Sequence, residues 1–134
     1  MRTRVPVCAA LLLLLLGGCG GARVVTVPVD AGSAHVAEGE ILRIEFGPAN
    51  PSIGDAWYLV TPPDATVLGE GEEFFESECD QPGCGGLAGW SFPARGKGTT
   101  SLVFRYCYRS DLDNCEPEPD RGPAEPVQFT VTVG

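Results

Sequence analysis

The sequence predicts an all-β fold, an immunoglobulin-like β-sandwich of about seven strands, on three observations. Apolar residues recur at every second position in several runs, Gly and Pro punctuate those runs at short intervals, and no run carries amphipathic helical spacing. No internal repeat is visible.

The elements follow in order along the chain. Val24 to Val29 is β-branched and mostly apolar, as a first strand should be. Ala31 to Gly39 is small and polar and reads as a loop. Leu42, Ile44 and Phe46 then face one way while Arg43 and Glu45 face the other, the mark of a half-buried strand. After Asn50-Pro51-Ser52-Ile53-Gly54, Ala56 to Thr61 resumes as a strand carrying Trp57 and Tyr58. Pro62 and Pro63 end it, and Ala65 to Leu68 is expected to form a further short strand. The acidic run from Glu70 to Asp80 matches no calcium-loop spacing and reads as a solvated segment. Beyond Gly83-Cys84-Gly85-Gly86, Trp90, Phe92 and Ala94 mark an inward face. Gly96-Lys97-Gly98 reads as a hairpin turn, and Leu102, Phe104 and Tyr106 share a face from which Arg105 points away. Ser110 to Pro126 is polar, with Pro117, Pro119, Pro123 and Pro126 holding it extended, so an exposed loop is expected. In the final strand Val127, Phe129, Val131 and Val133 alternate with Gln128, Thr130 and Thr132.

Residues 1–18 stand apart from this pattern. Arg2 and Arg4, the apolar run Ala9 to Leu16 and the small-residue site Leu16-Gly17-Gly18-Cys19 resemble a bacterial lipoprotein signal peptide. The apolar run is too short to span a bilayer. The resemblance implies that Cys19 becomes a lipidated N-terminus bearing palmitate and further acyl chains, which hold a protein on a membrane stably. Residues 19–23 would then be a tether and residues 24–134 the folded domain. Gly20, rather than aspartate, follows the cysteine, which implies an address in the bacterial cell envelope at the outer membrane.

Removing 18 residues from 134 leaves 116, the size of one domain that buries roughly 65% of its unfolded surface. Loss of Arg2 and Arg4 leaves 7 basic against 18 acidic side chains, a net charge of −11. Binding to phosphate backbones needs clustered Lys and Arg, so no nucleic-acid partner is expected. His35 is the one histidine and lies in a predicted loop, so neither a His-based triad nor a His-rich metal site can be built. No enzyme activity, no cofactor and no metal are expected.

Cys8 leaves with the signal and Cys19 takes lipid, which leaves Cys79, Cys84, Cys107 and Cys115. An even number of cysteines in an exported domain reads as two disulfides. Three connectivities are open. Pairing Cys79 with Cys84 and Cys107 with Cys115 is preferred, because each closes a short loop worth about 2–3 kcal/mol. A four-cysteine zinc site is disfavoured, since no Cys-x-x-Cys pair is present.

Two loops are specified more tightly than the rest of the chain. Asn50 can close an Asx-turn, Pro51 fixes φ near about −65°, and Gly54 can supply a positive φ, so the segment loses little entropy on docking. Gly83, Gly85 and Gly86 around Cys84 let the backbone approach another surface closely. In order and spacing, Gly39 to Phe46, Asn50 to Gly54, Ala56 to Tyr58, Gly83 to Gly86 and Leu102 to Tyr106 resemble the chagasin-type inhibitors of papain-like cysteine peptidases. The match runs from about Gly39 to Arg109, with a weaker echo in the last strand.

That resemblance implies an immunoglobulin-like sandwich whose three neighbouring loops enter the peptidase cleft as a wedge. The first loop, Asn-Pro-x-x-Gly, lies near the catalytic cysteine; the second is Gly-x-Gly-Gly; the third is Arg-Pro-Trp or similar. Asn50, Pro51 and Gly54 fit the first motif, with Ser52 and Ile53 where threonines are common. Gly83, Gly85 and Gly86 fit the second, with Cys84 in its free position. An ungapped count puts Tyr108, Arg109 and Ser110 in the third, so the tryptophan anchor is absent or replaced by Tyr108. The implied partner is a papain-like cysteine peptidase, held reversibly and without a covalent step by a monomer. The alternative is a membrane-anchored immunoglobulin-like binding module for another envelope or extracellular protein.

Overall fold

The computed structural model describes residues 20–134; the expected signal peptide of residues 1–18 and the expected lipidation site Cys19 lie outside the described residues. Eight strands are present among them: β1 (Val24–Pro28), β2 (Ser33–Val36), β3 (Ile41–Ala49), β4 (Asp55–Thr61), β5 (Glu72–Ser77), β6 (Gly86–Pro93), β7 (Gly98–Tyr108) and β8 (Val127–Val133). They form two sheets, ordered β1-β3-β6-β5 and β2-β8-β7-β4. The expected all-β, immunoglobulin-like sandwich is therefore the observed architecture.

The period-two runs bury the side they predicted. Leu42 and Ile44 of β3 and Phe92 of β6 face Leu102, Phe104 and Tyr106 of β7 and Phe129 and Val131 of β8, all essentially without solvent contact. A bulge between Glu45 and Gly47 turns Phe46, whose ring stacks on Trp57 at 4.3 Å and meets Phe104 edge-on at 4.9 Å. Among the described residues the buried core runs from Val29 to Val133, with Val25 and Val27 of β1 packed against it.

Five expectations need correction. The predicted loop Ala31–Gly39 holds β2, which pairs in parallel with β8; four residues of alternating burial are too short to stand out from a polar stretch. His35 accordingly sits exposed on a strand, opposite Thr132, and not in a loop. The acidic run is not merely solvated, for Glu72–Ser77 forms β5 along the edge of β6, with Phe74 under the Arg43 guanidinium at 3.8 Å. Ala65–Leu68 is a turn with a single bridge from Leu68 to Ala94, because Asp64 draws the backbone N–H groups of Thr66, Val67 and Leu68 back onto itself. Gly96-Lys97-Gly98 is no hairpin: β6 and β7 lie in different sheets, and the glycines carry the chain across the sandwich.

The register brings the loops together. Ala49 at the end of β3 pairs with Gly86 at the start of β6, and Asp55 at the start of β4 pairs with Tyr108 at the end of β7. The β3–β4, β5–β6 and β7–β8 connections consequently share one pole of the sandwich. Val24 pairs with Ile41, and Gly98 with Val133, so Gly20–Arg23 and Gly134 leave from the opposite pole.

Candidate functional site

The first loop is a single 3-10 turn, Pro51–Ile53, with Asn50 as its cap. The Ser52 N–H donates to Asn50 Oδ1 at 3.1 Å, which is the expected Asx-turn. Ile53, Gly54 and Asp55 N–H groups donate to the Asn50, Pro51 and Asn50 carbonyls, each at 3.2 Å. Gly54 takes φ 116° and ψ 8°, a conformation that side chains rarely adopt. Pro51, Ser52 and Ile53 are exposed at the tip.

The second loop is tied to the first. Asn50 Nδ2 donates to the Gly83 carbonyl at 3.1 Å, across 33 residues of sequence. Gly83 takes φ 83°, a conformation that glycine adopts without strain, and a Cβ at Gly85 would stand a tight 3.3 Å from the Ala49 carbonyl oxygen. A disulfide joins Cys79 to Cys84 with Cα atoms 6.0 Å apart, and the Glu78 N–H donates to the Gly85 carbonyl at 3.0 Å. The loop is thus closed covalently as well as tied to Asn50.

The third loop is tied to the first from the other side. Arg109 is the one non-glycine with positive φ among the described residues, at 50°. That conformation directs its N–H to the Gly54 carbonyl at 2.9 Å and its Nε to the Ile53 carbonyl at 3.0 Å. Its stem fills the space that a Gly54 Cβ would need, 2.4 Å from Arg109 Cγ. Tyr108 is half-buried against the core, its ring 5.0 Å from the Arg109 guanidinium and 5.7 Å from that of Arg121. Ser110 Oγ donates to the Tyr108 carbonyl at 3.0 Å and accepts from the Glu116 N–H at 2.8 Å. Cys107 and Cys115 form the second disulfide, with Cα atoms 5.1 Å apart. Both disulfides follow the preferred pairing.

Beneath the loops lies a charged cluster that the sequence reading missed. Asp55, only 6% exposed, accepts hydrogen bonds from the Asn50 N–H at 2.7 Å, from Tyr106 Oη at 2.5 Å and from both Nε and Nη2 of Arg121. Hydrogen bonding to Arg121 above all, with help from Tyr106 and the Asn50 amide, holds the Asp55 carboxyl down at about 2 against the opposing effect of burial. Burial, and then the Asp55 carboxylate, push the Tyr106 phenol up. Gly122 lies flat on the Tyr106 ring, since a Cβ there would come within 2.5 Å of it. The connection from Ser110 to Pro126 is therefore more than an exposed loop: its middle is pinned under the wedge.

Every predicted loop residue lies at one pole, and hydrogen bonds join the first loop to each neighbour. The structure does not leave Tyr108 free, and the backbone N–H and Nε of Arg109 are bonded to the first loop. Asp55 carried one sequence signal, an acidic residue directly after the Asn-Pro-x-x-Gly turn at the inward-facing start of a strand. Arg121 carried none.

Residues 35–133 match the family described as chagasin family peptidase inhibitor I42. No curated protein sequence matches the chain. Among solved structures, the cysteine protease inhibitor EhICP2 from Entamoeba histolytica is similar at 13% identity and a TM-score of 0.58, over 86% of this chain and 99% of that one. Amebosin, known in solution, is similar at 19% identity and a TM-score of 0.54, over 85% of this chain and 98% of that one. At these identities the likeness is one of fold.

Proposed function

From the premise that this chain belongs to the chagasin family of peptidase inhibitors, we propose that it inhibits papain-like cysteine peptidases reversibly, by seating its three-loop pole in the active-site cleft. The observation that carries this reading is the joining of the loops into one surface, Asn50 Nδ2 to Gly83 on one side and Arg109 to Ile53 and Gly54 on the other. A surface fixed before contact needs little ordering on binding, so an interface of standard size, about 1,600 Å² in total, holds tightly.

The first loop also explains why no bond need break. A substrate is taken as an extended strand whose N–H and C=O groups pair with the cleft. Here the residues at the tip form a 3-10 turn: Pro51 has no N–H, and the Ser52, Ile53 and Gly54 N–H groups are all engaged within the turn. The peptidase cysteine meets a folded turn that cannot enter the register of a cleavable peptide. The chain acts as an inhibitor and not as an enzyme.

The finer reading adds a lipid anchor at Cys19, placement in a bacterial envelope at the outer membrane, and action as a monomer. It is supported by the signal-like residues 1–18 and by the exit of Gly20–Arg23 at the pole away from the loops. So anchored, the wedge would face outward from the membrane. Incubating the chain from Gly20 onward with papain tests the mechanism: dilution should restore peptidase activity and the inhibitor should keep its mass, whereas a covalent adduct or a chain cut between Asn50 and Gly54 would refute it.

A further inference from the structure

Interfaces of this kind draw most of their strength from a few side chains that enter pockets on the partner, and Tyr108, Arg109 and Ser110 of the third loop offer no free apolar one. Tyr108 is packed against the core with a guanidinium on either side, Arg109 is bonded back to the first loop, and Ser110 bridges Tyr108 and Glu116. The second loop, with Asp80, Gln81 and Pro82 beside its glycines and disulfide, presents no exposed large apolar side chain. An apolar anchor must lie elsewhere.

Four large apolar side chains are exposed among the described residues: Val24 at 51%, Ile53 at 39%, Val60 at 41% and Phe75 at 40%. Val24 begins β1 and Val60 lies near the far end of β4, both toward the pole opposite the loops. Phe75 belongs to the edge strand β5. Ile53 alone is carried on a wedge loop, at its tip, and both its backbone groups are already engaged, the N–H by Asn50 and the carbonyl by Arg109. Only its side chain is left to offer. Arg109 fixes the direction of that offer, because its Nε holds the Ile53 carbonyl and its stem fills the space beside Gly54.

We infer that Ile53 is the apolar anchor of the wedge, entering an apolar pocket of the peptidase beside the catalytic cysteine in place of an aromatic on the third loop. The inference rests on the inhibitor reading above. It makes the first loop, and not the third, the seat of both occlusion and affinity, and it selects peptidases that present such a pocket. Arg109 is a positioning residue in this arrangement.

The test compares inhibition constants and dissociation rates of the chain from Gly20 onward against whichever of papain and its relatives the wild type holds most tightly. Ile53→Thr keeps the β-branch and removes apolar reach, so the inhibition constant should rise about 10- to 200-fold. The loss should fall mainly on the dissociation rate. Ile53→Leu should change it by less than about tenfold, and Val60→Thr, at the far pole, not at all. Wild-type constants in Ile53→Thr overturn the inference while leaving the inhibitor reading intact. A loss shared equally by Ile53→Leu and accompanied by a lower melting temperature also overturns it, as a structural effect. A wild type that inhibits no member of the panel overturns the inference together with the reading beneath it.

Discussion

Replacing Gly54 with alanine puts a Cβ 2.4 Å from Arg109 Cγ, 3.0 Å from Arg109 N and 3.2 Å from Arg109 Cα, in a backbone held at φ 116°. Two costs arise. The conformation itself strains an L-residue by about 1–3 kcal/mol. The clash with Cγ can be relieved only if the arginine stem swings away, which gives up the bond from Nε to the Ile53 carbonyl, worth about 1 kcal/mol. The contact with Arg109 N cannot be relieved by a rotamer, so the backbones of the first and third loops must shift apart by a few tenths of an ångström. The total is about 2–4 kcal/mol, shared between lower stability and a loop surface no longer preformed. Gly83→Ala provides the contrast: its φ of 83° brings strain, but no atom lies within 4 Å of the added Cβ. Urea unfolding together with inhibition constants should therefore show Gly54→Ala raising the constant by at least about tenfold, for each 1.4 kcal/mol lost, and well beyond Gly83→Ala. Equal effects of the two substitutions on both measurements would refute the role assigned to the contact between Gly54 and Arg109.

Three further outcomes are expected. The Asp55 carboxyl titrates at about 2 in the fold against an ordinary 3.8, so its stabilisation, on the order of 2 kcal/mol, is complete above about pH 4 and is lost as pH falls toward 2. Arg121→Ala removes the main cause of that depression and should move the acid unfolding midpoint, followed by tryptophan fluorescence, to higher pH. Asn50→Ala deletes both the cap on Ser52 and the tie to Gly83; loss of about 1–3 kcal/mol in urea unfolding and weaker inhibition are expected, and unchanged inhibition would show that the two loops act separately. Reducing the disulfides, which close loops of sequence separation 5 and 8, should each lower stability by about 2–3 kcal/mol and slow association with the peptidase, read by stopped-flow against the oxidised protein.

Where the chain buries one face of a strand, its pattern reported the fold. Leu42 and Ile44, Leu102 to Tyr106 and Phe129 to Val133 alternate because each second side chain is core. Two of the edge strands, β2 and β5, escaped because they bury too few side chains. Five of the six residues of β5 are exposed, so it shows no hydrophobic period, and the alternation in β2 spans only four residues and two buried side chains, too few to stand out. The loops at the active pole were legible because Asn50, Pro51 and the glycines act through local backbone geometry, which sequence displays directly. Arg121 was illegible because its purpose comes from Asp55, 66 residues away, and the Pro-rich acidic stretch around it gives no hint of a buried partner. Likewise Tyr108 stood at the position of an anchor, and only packing against the core reveals that it faces inward.

The central claim is that the joined loops close a papain-like cleft, and titrating papain with the chain from Gly20 onward measures it directly. The account predicts stoichiometric, competitive and reversible inhibition, weakened by Gly54→Ala and untouched by Val60→Thr. Full peptidase activity at micromolar concentrations of the chain, against papain and a panel of its relatives, would contradict it.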